Sequence, residues 1–468
     1  MAPADESRIV TYPGPKDEPA SKLYTVQAGG KDVFVYTARV REEIAKPPGS
    51  IWTHVHNGPT EWAAMAYFDF AGSVEVAVTP ARPFKSVTIL PSSYGVQPTI
   101  AAGKISFTLD RPRQVTVLLD GSDREVLHLF ANPLETDPPD KRDPNVIYFG
   151  PGAHETGPIS LKSGQTVYVA GGAVVRGTIS PEEKGNKSAK TGLVGYAPLL
   201  HAADAENVTV RGRGIIDGGL MPHAARSTIS LDRCRNVRLE GIIIRNSPNW
   251  AVNIHGCESV QAVNVKQISG RLNSDGINPV SSRKVRIADC FIRNHDDSIA
   301  VKTTAPDAPA EDILVERCVL WNDWGYALGI TYETRADIRR VTFRDCDVIH
   351  GTFAALGIHM VDSGTVSDVT FEDIRVDHAR DKLIFLNIGK DMWATDKGCG
   401  HIKGVRFRNV RYVGPAAPPS QISGRDAEHL VEDVTFEDLR IGGKVVTDAA
   451  AGKFSINEHT RGIVFKGQ

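Results

Sequence analysis

Hydrophobic and polar residues alternate in short stretches along the first 135 or so residues of the chain. An alternation with a period of two puts successive side chains on opposite faces of a β-strand, so the pattern predicts half-buried strands. Glycine, proline, aspartate and serine between the stretches predict tight turns. We therefore expect an antiparallel β-sandwich over residues 1–136. The clearest stretches are Lys31–Val40, Trp62–Phe70, Ser73–Val78, Lys104–Leu109 and Val115–Leu119.

A different pattern begins after residues 137–144, a charged, proline-rich segment that is typical of a linker. A short strand with Val or Ile at its start then recurs every 23 to 36 residues, and a second apolar strand closes many of the repeats. Such a period without a helical pattern predicts a solenoid, here a right-handed parallel β-helix over residues 145–468. The fold class is therefore all-β. The repeats start at Val208, Val237, Val260, Val285, Ile313, Val341, Val369, Val405 and Val434.

Three of the six cysteines, Cys290, Cys318 and Cys346, each lie five residues after the start of a repeat. We interpret them as a buried ladder inside the solenoid, because free cysteine behaves as a small apolar side chain. Their spacing does not fit the paired pattern of a zinc site. The two histidines of residues 53–56 (THVH) are interpreted as a surface feature, so we expect neither a metal nor another cofactor.

The formal net charge is −2, from 54 Lys and Arg against 56 Asp and Glu. This near-balance argues against a nucleic-acid binder or an anionic-membrane binder, which carries a basic excess. No apolar run is long enough to span a membrane, and residues 1–7 lack the features of a secretory signal. The chain is therefore either cytosolic or the mature form of an extracellular or periplasmic protein.

Three aspartates stand at related positions of two consecutive repeats. Asp275 and Asp297 each lie two residues before a repeat-closing isoleucine, Ile277 or Ile299, and Asp296 adds a third carboxylate. Equivalent residues of neighbouring coils lie about 4.8 Å apart at the backbone, so the pKa of one of the three acids should be raised by its neighbours. A protonated acid beside an ionised base is what hydrolysis of a glycosidic bond needs.

Aspartates in solenoid turns also have an ordinary structural role. Those of residues 344–347 (RDCD), 371–374 (FEDI) and 436–439 (FEDL) lie just after the first strand of their repeats, and we interpret them as turn formers. The group around Asp275 and Asp296 precedes the last strand instead. The position within the repeat therefore separates the candidate catalytic acids from the turn residues.

Four blocks around these acids resemble glycoside hydrolase family 28, the polygalacturonase family. They are residues 214–218 (GIIDG), 246–250 (NSPNW), 273–276 (NSDG) and 296–302 (DDSIAVK). The resemblance implies a β-helix in which Asp296 protonates the leaving oxygen while Asp275 and Asp297 hold and deprotonate the attacking water. It also implies inversion of configuration and a substrate-binding role for Lys302.

The chain departs from the family at two places. The family's Gly-His-Gly motif is replaced by residues 324–329 (WGYALG), and its Arg-Ile-Lys motif by Gly357-Ile358-His359. Losing both cations argues against a uronate substrate, because an unpaired buried carboxylate is costly. A neutral glycan such as an α-glucan is favoured. Family 49, the dextranase and isopullulanase group, is similar in having an N-terminal β-sandwich before the β-helix.

Further substrate-binding candidates lie on the same side of the solenoid, where aromatic rings can stack on sugars and charged groups can bond hydroxyls. They are Asn273, Tyr326, Glu333, His359 and Trp393. The expected partner is a poly- or oligosaccharide, with no nucleic acid or membrane. Two alternatives stay open, a polysaccharide lyase or epimerase on the same fold and a non-catalytic glycan-binding β-helix. We expect the sandwich to cap the apolar end of the solenoid, although it would also fit as a glycan-binding module or as one end of the cleft.

Overall fold

The computed structural model describes residues 8–42, 59–188, 191–414 and 416–467, and the chain in these ranges is almost entirely β-structure. A single turn of 3₁₀ helix, Ser92–Tyr94, interrupts the strands there. The histidine pair of residues 53–56 lies outside the described residues. None of the helical structure in the described ranges is long or apolar enough to cross a membrane.

The N-terminal part is a sandwich of two sheets around one apolar core. The alternation predicted for its strands is present, since Val74 and Val76 are buried while Glu75 between them is exposed. One pairing differs from the predicted antiparallel pattern, because Leu127–Pro133 runs parallel to Glu61–Phe70. The six-stranded sheet contains Ile9–Thr11, Val35–Arg41, Glu61–Phe70, Val87–Leu90, Arg113–Leu119 and Leu127–Pro133. The five-stranded sheet contains Tyr24–Ala28, Lys31–Val33, Val74–Pro80, Thr99–Ala101 and Lys104–Leu109.

From Val146 onward the chain forms a β-helix, and the strands of its stacked coils form three parallel sheets. The first sheet contains Val146–Phe149, Thr166–Val169, Thr209–Gly212, Arg235–Glu240, Glu258–Val263, Arg283–Ala288, Ala310–Glu316, Ile338–Arg344, Thr365–Glu372, His401–Arg408, Val431–Glu437 and Thr460–Lys466. The second sheet contains Gly152–Thr156, Ala173–Gly177, Ile215–Asp217, Ile243–Arg245, Lys266–Leu272, Phe291–His295, Val319–Asn322, Asp347–His350, Arg375–Val376, Arg411–Tyr412, Arg440–Ile441 and the antiparallel Lys444–Val445. The third sheet contains Ile159–Leu161, Leu200–Ala203, Ile229–Asp232, Val252–His255, Ile277–Val280, Ile299–Thr303, Tyr326–Thr334, Ala354–Met360, Lys382–Ile388, Ser420–Ser423 and Phe454–Ile456. A small hairpin, Asn186–Lys187 with Val194–Gly195, projects from an early coil.

Eight of the nine repeat starts recognised in the sequence are confirmed as register partners in the first sheet, and the ninth, Val208, lies one residue before the strand Thr209–Gly212. Val237 pairs with Val260, Val260 with Val285, Val285 with Ile313, and the series continues to Val434. Cys290, Cys318 and Cys346 are buried and free, which confirms the cysteine ladder. An inner row of stacked rings extends the same order towards the C-terminal coils, with centroids 4.7 to 5.0 Å apart. The row consists of Phe343, Phe371, Phe407, Phe436 and Phe465.

Each coil turns sharply four residues after the repeat start, where the backbone enters the left-handed region. Glycine, asparagine and aspartate tolerate this region better than most residues do, which explains why aspartate recurs at this turn. Asp345, Asp373 and Asp438 therefore shape the backbone, as the sequence predicted. The φ angles are between 51° and 77° at Gly241, Asn264, Asp289, Arg317, Asp345, Asp373, Asn409 and Asp438.

The sandwich packs along the side of the solenoid and not over its end. Its six-stranded sheet covers the outer face of the second helical sheet, and the contact runs across seven consecutive strands from Val174 to Ile349. The described contacts therefore contradict the expectation of an end cap. Ion pairs reinforce the contact, among them Arg213 with Asp69 at 2.8 Å and Arg176 with Glu18 at 2.8 Å.

Candidate active site

The three aspartates come together at the corner where the second helical sheet turns into the third. Ile277 and Ile299 are register partners, so Asp275 and Asp297 occupy equivalent positions on adjacent coils. One carboxylate oxygen of each of the three acids lies within 4.8 Å of the others. The two-residue offset seen in the sequence therefore does bring the acids into one cluster.

Buried amides hold the two turns that carry the acids. The Asn294 side chain donates to the carbonyl oxygens of Ser274 at 3.1 Å, Asp296 at 2.8 Å and Asp297 at 2.8 Å. The side chain of Asn322, its register partner on the next coil, donates to the Asp296 carbonyl at 2.6 Å. Since buried carbonyl groups need donors, these asparagines stabilise a backbone that leaves the acid side chains free to face outward.

Asp275 is buried and its pKa is raised well above the usual range, first by burial and then by the negative charge of Asp296. Its Oδ2 accepts a hydrogen bond from Asn278 at 2.9 Å. No donor from the described residues reaches its Oδ1, although that atom is buried. Asp275 can therefore accept a hydrogen bond from a water molecule or a sugar hydroxyl.

Asp296 is the least buried acid of the cluster. Burial and the neighbouring Asp297 charge raise its pKa from 3.8 to about 7, although the backbone amides of Asp297 and Asn273 act in the opposite direction. These amides donate to its two carboxyl oxygens, at 2.9 Å and 3.1 Å. A carboxyl group with a pKa near neutrality is suited to general acid catalysis.

Asp297 has the most donors of the three acids. Its Oδ2 accepts hydrogen bonds from the Thr331 hydroxyl at 2.6 Å and the Lys302 ammonium at 3.4 Å, and its Oδ1 accepts one from the Tyr326 amide at 3.0 Å. Three donors therefore fix the orientation of this carboxyl group. Gly325 makes room for this arrangement, because a Cβ there would lie 2.7 Å from Asp297 Oδ1.

Lys302 lies beside the acids, and its ammonium group already has hydrogen-bond acceptors within the protein. The ammonium group donates to Glu333 at 3.1 Å and to the Thr331 hydroxyl and carbonyl at 3.1 and 3.2 Å. The rings of Trp250 and Tyr332 each lie 5.4 Å from it. Burial lowers the pKa of Lys302, but the charges of Glu333 and Asp297 outweigh it and raise the pKa overall.

A cavity of about 480 Å³ opens over the cluster, and among the described residues that line it Lys302 is the only Lys, Arg or His. All three aspartates line this cavity, together with the predicted Lys302, Asn273, Glu333 and Trp393. Aromatic rings form much of the wall. An apolar wall with a few convergent polar groups is the usual form of a small-ligand site.

Tyr326 and His359, which the sequence also suggested, lie behind this wall. Tyr326 is fully buried, and its hydroxyl lies 2.9 Å from His359 Nδ1. His359 packs against the Tyr332 ring, 5.1 Å between centroids, and burial lowers its pKa. In this position the two side chains support Tyr332 and do not themselves line the cavity.

Sequence reasoning missed several residues of the wall. Trp250, Trp324 and Phe353 stand just before strands of the third sheet, at the same corner as the acids, so the repeat register was a usable signal. Asp391 and Met392 belong to a loop after the strand Lys382–Ile388, and nothing in the repeat pattern pointed to it.

That loop is held in place by buried polar groups. The fully buried Asp362 accepts hydrogen bonds from the Thr395 amide at 2.6 Å and the Asp396 amide at 2.9 Å. Lys390, on the same loop, donates to the Val361 carbonyl at 2.7 Å. These contacts fix the loop that brings Trp393 to the cavity.

The carboxylates are the only group of three or more possible metal ligands found close together in the described ranges. Oxygen donors of this kind suit a hard divalent cation. The Lys302 ammonium, however, already lies against Asp297 and supplies positive charge to the cluster. The arrangement of donors therefore does not call for a metal.

Comparisons with known proteins show a family and a shared fold. The family model of glycosyl hydrolases family 28 matches residues 160–453. A probable polygalacturonase from Vitis vinifera is 25% identical over 57% of this chain and 54% of its own length. An endo-polygalacturonase from Pectobacterium parmentieri is 26% identical over 61% of this chain and 70% of its own. The chain thus spans only about half the length of the Vitis protein.

Two solved structures share the fold. An exopolygalacturonase from Thermotoga maritima is 23% identical, with a TM-score of 0.56 over 68% of this chain and 82% of that one. Dex49A from Penicillium minioluteum is 18% identical, with a TM-score of 0.68 over 97% of this chain and 96% of that one. The second match covers the sandwich as well as the β-helix, which confirms the domain order that the sequence suggested.

Proposed function

Because the chain belongs to glycosyl hydrolases family 28, we propose that it hydrolyses a glycosidic bond of a poly- or oligosaccharide. The observation that carries this proposal is the acid cluster itself. Asp296, with a pKa of about 7, faces the cavity beside Asp297, which accepts three hydrogen bonds. This chemistry requires an acid that can give up a proton near neutral pH and a second carboxyl group close beside it.

In the proposed reaction Asp296 gives its proton to the oxygen of the leaving sugar as the bond from that oxygen to the anomeric carbon breaks. Asp275 holds a water molecule through its free Oδ1, and Asp297 takes a proton from that water as its oxygen bonds to the anomeric carbon. The proton on Asp297 then returns to Asp296 within the cluster or through solvent. One water is consumed, and both carboxyl groups end in their starting states.

We further propose that the anomeric configuration is inverted, as the family resemblance implies. The separation of the acids argues against inversion, because inverting enzymes usually keep their carboxyl groups about 6.5–9.5 Å apart. Here the closest oxygens lie within 4.8 Å. Proton NMR of the first product formed distinguishes the two outcomes directly, and a retained configuration would contradict the inverting mechanism.

The substrate we propose is a neutral glycan, with an α-glucan favoured. Lys302 is bonded to Glu333, Thr331 and Asp297, so it has no free donor for a uronate carboxylate. Glu333 and Asp391 add negative charge to the same wall. The relatives are named polygalacturonases, so a galacturonan is the competing substrate.

The test is to incubate the protein with polygalacturonate and with a panel of neutral α- and β-glucans, and to measure new reducing ends. We expect them from a neutral glucan and none from polygalacturonate. Release from polygalacturonate alone would overturn the substrate assignment. A product that absorbs in the ultraviolet would indicate a lyase, and glycan binding without any product would indicate a binding protein.

A further inference from the structure

One strand of the sandwich ends beside the catalytic corner, the turn between the second and third helical sheets that carries Asp275, Asp296 and Asp297. The strand Val35–Arg41 reaches Gly270, which lies within the strand Lys266–Leu272 of the second helical sheet. A Cβ on Gly270 would lie 2.3 Å from the carbonyl carbon of Val40 and 2.5 Å from the amide nitrogen of Arg41. The two backbones are therefore too close for any side chain at position 270.

The contact lies at an irregularity of the helical strand. The register with the next coil shifts between Ile268 and Leu272, as in a β-bulge. The Glu42 amide donates to the Gly270 carbonyl at 2.9 Å, within this irregular segment. Bulges next to active sites re-aim the side chains that follow them.

Glu42 also holds the next residue of the bulge, Arg271. Both carboxylate oxygens of Glu42 bond the Arg271 guanidinium, one of them to Nη2 at 3.2 Å and the other to Nε. The Arg271 side chain is only 4% exposed, so the pair is shielded from water. A bidentate pair of this kind restricts orientation as well as position.

From Arg271 the connection to the catalytic acid is short. The Ser274 amide and hydroxyl both donate to the Arg271 carbonyl, at 3.2 and 2.5 Å, and close a tight turn. Within this turn the Asn273 amide donates to Asp296 at 3.1 Å. The bulge therefore determines where the Asn273 N–H group lies relative to the acid.

We propose that the N-terminal sandwich positions the catalytic acid, with Glu42 as the positioning residue that acts through Arg271 and Asn273 on Asp296. The proposal rests on the proposed function, since it takes Asp296 as the acid. It gives the sandwich a role in catalysis in addition to packing. Glu42 itself does not line the cavity.

The experiment compares the full-length variant Glu42→Gln with the wild type and with Asp17→Asn as a matched control. Asp17 also pairs with the solenoid, through Arg176 at 2.8 Å, but on a coil that carries none of the acids. The bond from Asn273 lowers the pKa of Asp296, so its loss should move the alkaline limb of the kcat profile to higher pH. We expect kcat to fall about tenfold in Glu42→Gln, since a misplacement of about 1 Å can cost about a hundredfold.

Hydrogen exchange of the amides in residues 270–274 provides a readout that needs no substrate. We expect faster exchange there in Glu42→Gln and wild-type exchange in Asp17→Asn. A wild-type kcat profile in Glu42→Gln, or a loss of activity without any shift of the alkaline limb, would overturn the positioning role. Faster exchange in a protein that hydrolyses no glycan would support the mechanical connection and refute the proposed function, so the two failures are distinguishable.

Discussion

Replacing Asp296 with asparagine should separate catalysis from stability in a way that depends on pH. The carboxyl oxygens of Asp296 accept hydrogen bonds from the amides of Asn273 and Asp297. Asparagine has one carbonyl oxygen, so one of these amides loses its acceptor, at a cost of about 1–3 kcal/mol that does not vary with pH. A second effect does vary with pH, because asparagine cannot ionise.

The pH-dependent effect follows from the raised pKa of Asp296. In the unfolded chain the carboxyl group ionises near pH 3.8, whereas in the folded protein it does so near pH 7. Between these values the unfolded state has released its proton and the folded state has not, so the wild type loses stability as pH rises. At about 1.4 kcal/mol for each tenfold change in the ionisation constant, the loss reaches up to about 4 kcal/mol. Asp296→Asn lacks this loss.

Urea denaturation of both proteins at several pH values measures the difference. We expect the unfolding free energy of Asp296→Asn, minus that of the wild type, to increase from pH 4 to pH 7. Above pH 7 this difference should stay constant. Asp289→Asn is the matched control, since Asp289 lies on the same coil, at the corner between the first and second sheets, and pairs with Arg317. A constant difference between wild type and Asp296→Asn across this range would refute the raised pKa.

The same variant tests the role of Asp296 in the reaction. Loss of a general acid costs about 10²- to 10⁴-fold in rate, so kcat on a natural glycan should fall by at least about a hundredfold. The wild-type rate should decline as pH rises through about 7, and this decline should be absent in Asp296→Asn. A glycoside with a nitrophenol leaving group needs little acid assistance and should lose far less rate. An equal loss on both substrates would show that Asp296 is not the acid.

Three further predictions test other parts of the structure. Lys302→Met breaks a buried ion pair, so the free energy of unfolding measured in urea should fall by about 3–5 kcal/mol. The alkaline limb of the kcat profile should also move to higher pH, because Lys302 lowers the pKa of Asp296. Gly325→Ala puts a methyl group 2.7 Å from Asp297 at a φ of 85°, so kcat should fall without a matching rise in KM. Phe407→Ala interrupts the phenylalanine row and should lower the unfolding free energy by about 3–5 kcal/mol, with kcat unchanged at a temperature where the protein stays folded.

The solenoid was predictable because its repeat is imposed by stacking. A residue such as Val285 must lie under its equivalents on the next coils, so the same residue type recurs at the same place. The same argument located Asp275 and Asp297, since a fixed offset from a ladder residue becomes a fixed position in space. The local sequence pattern was therefore enough to predict the structure wherever one coil constrains the next.

The loop that completes the cavity wall and the position of the sandwich were not predictable by this argument. Asp391 and Met392 lie on a loop that leaves the repeat, and the buried Asp362 that anchors it looks like an ordinary polar residue in the sequence. The side-on contact left a weak signal. Ile215 and Ile243 belong to strands of the second sheet that are buried on both faces, as in a sheet covered by a second layer.

The side-on contact links stability to the positioning role proposed for Glu42. Without the sandwich, seven strands of the second sheet would expose apolar residues such as Ile268 and Phe291, and exposed apolar patches promote association. Tyr36, Ala38 and Val40 cover these residues from alternate positions of a single sandwich strand. Because those three side chains fix the register of the strand, the backbone that continues to Glu42 must arrive at the bulge beside Asp296. The apolar packing therefore sets the position of the polar contact, and the sandwich cannot stabilise the solenoid without also placing Glu42 at the catalytic corner.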